Sequence, residues 1–232
     1  MFPTGRPLIA TFSRNALRHN AGVAARLVAS GGQVLGVIKA DAYGHGLLES
    51  AEVLNDCVDG FAILEIEAAR RLRQAGFQAP ILMLEGFYTS EELSEYSALG
   101  LSTVIHHPDQ VDTLEQTELS APMHVFLKLN TGMNRLGFPL THARSIFERL
   151  QGLPQVADVT VMTHFADADH ERGTAWQLQR LLNMWPEVMN CRTSFANSAA
   201  LLSGPAIREV LGDIVRPGIM LYGASPWGGS VR

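Results

Sequence analysis

Short runs of β-branched and apolar residues alternate along the chain with longer segments of helical periodicity. Runs of this length and composition predict strands that are buried on both faces. Eight of them can be distinguished: Val34–Ala40, Phe61–Leu64, Ile81–Glu85, Ser102–His106, His124–Asn130, Val159–Phe165, Thr193–Asn197 and Ile214–Arg216, with Leu221 as an alternative end of the last.

The segments between the runs carry apolar residues at helical spacing. They predict helices near Leu47–Asn55, Glu65–Ala75, Ser90–Leu99, Asp109–Glu118, Thr141–Gln151 and Arg172–Met189, with a weaker one near Ser198–Val210. Thr89 or Ser90 is expected to cap one of these helices and Thr141 another. A further helix, Ser13–Ala29, precedes the first strand and can occupy the place of the helix expected after the eighth strand.

The order of these elements favours an α/β domain. Strand and helix alternating eight times indicate a parallel sheet closed into a (β/α)8, TIM-like barrel rather than an open sheet. We expect residues 1–232 to form this one domain, with Leu8–Phe12 as a strand outside the barrel. A hydrophobic content of 47% is in keeping with a core of that size.

Charge and composition exclude several other classes of protein. The net charge is −5 and both signs are scattered, so we expect no nucleic-acid partner. No apolar stretch approaches the ~18 residues that would predict a membrane span, and the N-terminus lacks a signal-peptide core. Cys57 and Cys191 stand in no metal-ligand or disulfide pattern. These features predict a cytoplasmic protein.

The end of the first predicted strand carries a lysine, at the edge where barrels of this kind place their active sites. Lys39 follows the apolar run Val34–Ile38. A partly desolvated amine at such a position suits chemistry in which the amine attacks a carbonyl group. A lysine that merely extends to solvent is the alternative.

The residues that follow favour the first interpretation. Lys39–Gly46 (KADAYGHG) closely resembles the cofactor-lysine signature of alanine racemases. Further resemblances to that family follow in the family's order: Leu127–Gly137, Met162–Phe165, Ala196–Ala199 and Val215–Gly223. The resemblance implies the family's N-terminal barrel, which binds pyridoxal 5′-phosphate.

The resemblance also implies a role for each matching residue. Lys39 would hold the cofactor and act as the base toward D-alanine, and Arg135 would bind the substrate carboxylate. Lys128 corresponds to a lysine that some members carbamylate, and His164 would lie against the cofactor ring. The phosphate contacts would come from Tyr43, Ser198, Gly218 and Ile219, and the contact to the pyridine nitrogen from Arg216.

Elementary chemistry agrees with several of these roles. Removal of an α-proton needs an electron sink, which pyridoxal phosphate supplies. The planar guanidinium of Arg135 suits a carboxylate. A guanidinium at Arg216 can only donate a hydrogen bond to a neutral pyridine ring, so the carbanion would be short-lived and side reactions fewer. Gly218 permits close approach of the backbone to a phosphate.

Two other patterns carry little weight. The acidic loop His164–Glu171 offers metal-ligand residue types without a metal-site spacing, so we predict no metal. Gly132–Gly137 has the glycine spacing of a P-loop, but Phe138 stands where the lysine belongs.

Members of the family are two-domain homodimers in which a β-rich second domain supplies a catalytic tyrosine to the partner's site. We expect that domain to be absent from these 232 residues. The resemblance thus implies a racemase that interconverts L- and D-alanine, for cell-wall precursor supply or D-alanine catabolism, in a barrel that binds the cofactor but racemises poorly alone. Two alternatives remain open: a single-domain pyridoxal-phosphate carrier or homeostasis protein, and a barrel hydrolase or aldolase that uses Lys39 without cofactor.

Overall fold

Parallel strands form a ring at the centre of the molecule, and most are followed by a helix on the outside. The computed structural model describes residues 11–28, 31–203 and 208–227. The strands of the ring are β1 Gln33–Val37, β2 Gly60–Ile63, β3 Ile81–Met83, β4 Ser102–Ile105, β5 Met123–Asn130, β6 Val156–Met162, β7 Arg192–Ser194 and β8 Ile214–Val215. A two-residue strand, Phe138–Pro139, pairs with the end of β5.

The helices cover the outer face of the sheet. They are α1 Arg14–Leu27, α2 Leu47–Leu54, α3 Ile66–Gln74, α4 Ser90–Ala98, α5 Pro108–Gln116, α6 Ala143–Gln151, α7 Ala175–Met184, α8 Ser198–Leu202 and α9 Arg208–Leu211. Short 3-10 turns span Leu140–His142, Pro186–Asn190 and Ile219–Tyr222.

The strand order is β7-β6-β5-β4-β3-β2-β1-β8, with every neighbouring pair parallel. The ring is nearly closed between β7 and β8. There the Asp213 amide donates to the Thr193 carbonyl at 2.8 Å, and the Ser194 hydroxyl donates to the Ile214 carbonyl at 2.7 Å. The prediction of a parallel, TIM-like α/β barrel is therefore confirmed.

Alternation along each strand divides the core into two layers. One set of side chains fills the barrel interior: Leu35, Val37, Ala62, Leu82, Val104, Phe126, Met162 and Ile214. The intervening side chains pack under the helices in a second, larger cluster. Because side chains two apart share a face, His124, Phe126 and Lys128 of β5 all lie on the interior face.

α1 occupies the place expected for the helix after β8. It packs against α2, β1 and the Ile219–Tyr222 turn, and the Asn20 amide donates to the Leu221 carbonyl at 3.0 Å. The Ser13 hydroxyl caps its first turn by accepting from the Ala16 amide. This helix therefore covers the outside of the barrel where β8 lies beside β1.

Several predicted boundaries were wrong, mostly at carboxyl ends. β1 stops at Val37 rather than Ala40, and β8 does not continue to Leu221, because a 3-10 turn follows Pro217 and Gly218. The helix predicted over Ser198–Val210 is replaced by α8 and α9. Of the predicted outer strand Leu8–Phe12, residues 8–10 lie outside the described residues, and 11–12 are not strand.

Of the two predicted helix N-caps, the one at α4 is confirmed and the one at α6 is wrong. Thr89 caps α4, its hydroxyl accepting from the Glu92 amide at 3.2 Å. Thr141 lies inside the 3-10 turn, and α6 begins after His142 without a side-chain cap. Within the described ranges, no helix is long and apolar enough to cross a membrane.

One partly buried histidine should make folding stability depend on pH. His124 Nε2 lies 2.8 Å from the Thr160 hydroxyl at the amino end of the barrel, and burial lowers the pKa of His124 to about 4. The unfolded chain binds this proton at a pKa near 6.5. Stability is therefore fully present above pH 6.5 and falls as the pH drops from 6.5 to 4, by about 3 kcal/mol for a shift of this size.

Urea unfolding at pH 7.0 and pH 5.0 measures this effect, comparing the unsubstituted chain with His124→Gln. We expect the substituted chain to lose less stability on acidification. His19→Gln, on the exposed face of α1, serves as the matched control. Equal pH dependence in all three chains would contradict the assignment.

Candidate active site

Directly after β1 the backbone enters a left-handed turn. Ala40, Asp41, Ala42 and Tyr43 have φ between 50° and 55°, a conformation that costs an L-residue roughly 1–2 kcal/mol. The turn is stabilised locally, since the Asp41 carboxylate accepts from the Leu47 amide at 2.9 Å. It ends β1 at the carboxyl edge of the barrel and leaves Lys39 at the start of the turn.

Aromatic packing holds the other side of this turn. The Tyr222 ring lies 4.9 Å from that of Tyr43 and 4.7 Å from that of His45. The Tyr222 hydroxyl donates to the Val37 carbonyl at 3.0 Å. Tyr222 thereby connects the segment after β8 to the segment after β1.

A cavity of about 340 Å³ opens at the carboxyl ends of the strands. All nine residues that the sequence analysis singled out line it: Lys39, Tyr43, Lys128, Arg135, His164, Ser198, Arg216, Gly218 and Ile219. The sequence has two lysines in total, and both lie here. Residues distant in sequence thus meet where the strands end, as parallel strands in a ring require.

The cavity is rich in positive charge. Lys128 is 5% exposed, and burial, with further contributions from Arg135 and Arg216, lowers its pKa to about 8. Glu85 also lines the cavity and opposes this shift. Lys128 therefore loses its proton more readily than an exposed lysine does.

His164 and Arg216 both have lowered pKa values, but at neutral pH His164 is uncharged and Arg216 is charged. Burial, followed by the charge of Arg216, lowers the pKa of His164 to about 3, so its imidazole is neutral. Burial lowers the pKa of Arg216 to about 10, which still leaves a cation at pH 7. The guanidinium is held by the Thr163 carbonyl, which accepts from it at 2.8 Å, and by the Ser194 hydroxyl.

A group of polar atoms surrounds Gly218. The buried Ser198 hydroxyl accepts from the Gly218 amide at 2.9 Å and from the Met220 amide at 3.3 Å. A Cβ atom on Gly218 would lie 2.5 Å from the Tyr43 hydroxyl. The absence of a side chain at this position therefore lets Tyr43, Ser198 and the Gly218 backbone approach one another.

Three residues of the site were not assigned from the sequence. Glu85 and Asn197 line the cavity, and Gln177 lies behind it. Glu85 follows β3 and could have been found by inspecting every strand end. Asn197 caps α8 by accepting from the Ala200 amide at 3.0 Å, so its sequence signal is that of an ordinary cap. Over the part of the chain that the structure describes, no three His, Cys, Asp or Glu side chains cluster as metal ligands would.

Fold and site together define a class: a parallel α/β barrel with a cavity, lined by four cationic side chains, at the carboxyl ends of its strands. The family model "Alanine racemase, N-terminal domain" matches residues 12–226. The chain therefore belongs to the alanine racemase family, as the sequence motifs predicted, and the matching part is the N-terminal domain.

Comparisons with individual relatives support this family assignment. The chain is 48% identical over 224 residues to the alanine racemase of Nitrosospira multiformis, covering 95% of this chain and 61% of that protein. Among solved structures, the biosynthetic alanine racemase of Pseudomonas aeruginosa is 38% identical with a TM-score of 0.83, over 91% of this chain and 58% of that one. A Bacillus anthracis alanine racemase with bound L-Ala-P is 26% identical with a TM-score of 0.75, over 92% and 57%. The chain thus spans about three fifths of the length of these relatives.

The contacts around Gly218 generate a prediction for cofactor affinity. A Cβ atom at position 218 would displace the Tyr43 hydroxyl. If Tyr43 bonds the phosphate as the resemblance implies, Gly218→Ala removes a hydrogen bond to a charged group, worth about 1.5–3 kcal/mol. We expect binding of pyridoxal 5′-phosphate, measured by absorbance titration, to weaken about tenfold or more.

The control is Gly152→Ala after α6, where a Cβ atom would make only ordinary contacts. In a Tyr43→Phe background the alanine at position 218 should cost much less, because the clashing hydroxyl is gone. A Gly218→Ala chain that binds pyridoxal phosphate normally would contradict this description of the site.

Proposed function

We propose that this chain binds pyridoxal 5′-phosphate on Lys39 and contributes the barrel half of an alanine racemase active site. The carrying observation is that Lys39, at the start of the left-handed turn after β1, faces one cavity with Arg135 and Arg216. The substrate we propose is alanine.

The residues present fit pyridoxal phosphate. Lys39 provides an amine for the cofactor's aldehyde. The space at Gly218, which a Cβ atom would fill, adjoins the hydroxyls of Tyr43 and Ser198 and is suited to a phosphate. The net positive charge of the cavity also suits the phosphate, which carries up to two negative charges.

When bound, pyridoxal phosphate supplies the electron sink that stabilises a carbanion at Cα. Lys39 would hold the cofactor, and its Nζ would take the α-proton from one face of Cα and return it. The half-buried position of Lys39 limits the access of water to that proton. We propose that this face is the one from which D-alanine loses its proton.

Arg135 binds the substrate carboxylate in this proposal. The turn that carries it is held by Asn130, whose side-chain oxygen accepts from the amides of Gly132 and Asn134 at 3.0 and 3.1 Å. Asn134 has φ of 57°, which lets the chain reverse just before Arg135. A planar guanidinium on such a turn can grip a carboxylate with two parallel hydrogen bonds.

Arg216 and His164 keep the cofactor ring neutral in this proposal. Arg216 stays cationic and can only donate to the pyridine nitrogen. The neutral His164 beside it lines the same wall of the cavity. Neither group would deliver a proton to the pyridine nitrogen at neutral pH.

The opposite face of Cα needs a second proton-transferring group. The resemblance assigns it to a tyrosine of the partner subunit in a homodimer. We propose that the 232-residue chain by itself exchanges the α-proton of D-alanine with solvent faster than it interconverts the enantiomers. The same interconversion serves cell-wall precursor supply and D-alanine catabolism alike.

Trapping the cofactor tests the assignment of Lys39. After incubation with pyridoxal phosphate and borohydride reduction, peptide mass mapping should find the adduct on the peptide that contains Lys39. Lys39→Arg should abolish the adduct, and Lys128→Arg should retain it. An adduct on Lys128 or none at all in the unsubstituted chain would overturn the proposal.

The same cofactor-loaded sample tests the reaction. In D₂O, proton NMR should show loss of the α-proton signal of D-alanine, while chiral chromatography shows much less L-alanine. Racemisation as fast as exchange would contradict the need for a second group outside these residues. An adduct on Lys39 with no exchange would favour a cofactor carrier.

Lys128 is proposed to be carbamylated. Its lowered pKa provides neutral amine, which adds CO₂ to give an N-carboxylate and releases one proton. The new negative charge would lie beside Arg135 and Arg216 and relieve the repulsion among cations. No carboxylate of the described residues forms an ion pair with Lys128.

Carbon-13 NMR with labelled bicarbonate measures this modification. A carbamate resonance should appear near pH 8, weaken as the pH falls to 6 because the amine becomes protonated, and vanish in Lys128→Arg. Lys39→Arg, which keeps the other lysine, should retain the resonance. Its absence from the unsubstituted chain at pH 8 would contradict the proposal.

A further inference from the structure

Gln177 is a fully buried amide in the first turn of α7, outside the barrel. Its side-chain oxygen accepts from the Ala166 amide at 2.7 Å. Its side-chain nitrogen donates to the Thr131 hydroxyl at 2.7 Å and to the His164 carbonyl at 3.1 Å. Both N–H groups and the oxygen of the Gln177 side chain therefore form hydrogen bonds, as a buried amide requires.

Hydrogen-bond donation among the hydroxyl groups behind Gln177 has a defined direction. The Thr163 hydroxyl donates to the Leu129 carbonyl at 3.0 Å, which uses its single proton. The 2.8 Å contact between the two threonine hydroxyls must then be donated by Thr131. The chain of donors runs from Gln177 through Thr131 and Thr163 to Leu129, and both threonines are 1% exposed.

This series of hydrogen bonds from Gln177 to Leu129 joins three parts of the cavity. Thr131 begins the turn that carries Arg135, and Gln177 holds the carbonyl of His164 directly. Thr163 accepts from the Arg216 guanidinium through its carbonyl. The preceding residue of α7, Trp176, packs so closely on the same turn that a Cβ atom on Gly132 would lie 2.2 Å from its ring.

We infer that Gln177 is a positioning residue that sets the Arg135 turn relative to the His164 strand end and so aligns Arg135 with a ligand carboxylate. The inference rests on the proposed function for the identity of that ligand. The amide acts through Thr131 and does not itself line the cavity. An outer helix thereby fixes the geometry of the binding side chain.

The test uses Gln177→Met, which keeps the size of the side chain and removes its three hydrogen bonds. The control is Gln179→Met on the exposed side of the same helix, where Gln179 bonds only to Asn183 among the described residues. Thr131→Val removes the next hydroxyl of the chain while preserving shape, and the double variant completes a cycle.

The probe is propionate, a carboxylate with the carbon skeleton of alanine, titrated into the ¹⁵N-labelled chain while the Arg135 side-chain signal is followed. We expect the dissociation constant to rise about tenfold in Gln177→Met and in Thr131→Val, which corresponds to the loss of about one hydrogen bond to a charged group. The double variant should lose little more than either single one. Gln179→Met should bind as the unsubstituted chain does, and all should trap cofactor on Lys39.

Normal propionate binding in folded Gln177→Met, or strictly additive losses in the double variant, would overturn the inference. If Gln177→Met does not fold, Thr131→Val alone tests the inference. Unchanged propionate affinity in Thr131→Val would refute the positioning role of Gln177. Failure of the unsubstituted chain to trap cofactor would contradict the proposed function only. The propionate titration uses no cofactor, so it still decides the role of Gln177.

Discussion

Mutual repulsion among positive side chains is the constraint on which the rest of the site depends. Lys39, Lys128, Arg135 and Arg216 line one cavity, and burying like charges together is costly unless they are neutralised or fixed. The protein meets this cost in different ways. Arg216 is held by a carbonyl and a hydroxyl, Lys128 has a lowered pKa, and His164 stays uncharged. The outcome is a cavity whose lining carries more cationic than anionic side chains.

Holding these groups in place requires an ordered framework behind them. The left-handed turn after β1 is unfavourable in itself, and it is stabilised by Asp41 and by the ring of Tyr222. On the other side of the cavity, the Gln177 amide holds the Arg135 turn against the end of β6. Strained backbone and buried polar groups both concentrate at this edge of the barrel, as is common where a binding site is preorganised.

Much of the fold was predictable because the barrel follows from local patterns. Short apolar runs located every strand of the ring, helical spacing located most helices, and the motif beginning at Lys39 indicated the family. The errors fell at the carboxyl ends of strands. Val37, not Ala40, ends β1, because the left-handed turn begins there and no propensity of Ala40 or Tyr43 favours it. The Ser198–Val210 prediction joined two short helices, since their apolar residues continue one spacing across the intervening segment.

The sequence by itself determined the alternation of elements and the residues gathered at the cavity, because apolar runs, helical periodicity and short motifs are properties of neighbouring residues. Only the tertiary structure decided how those residues are held. The neutral state of His164, the lowered pKa of Lys128 and the bonds of Gln177 depend on partners far away in sequence and on burial from water. Gln177 reads in sequence as one polar residue on a helix, and its role exists only because α7 packs where β5 and β6 end.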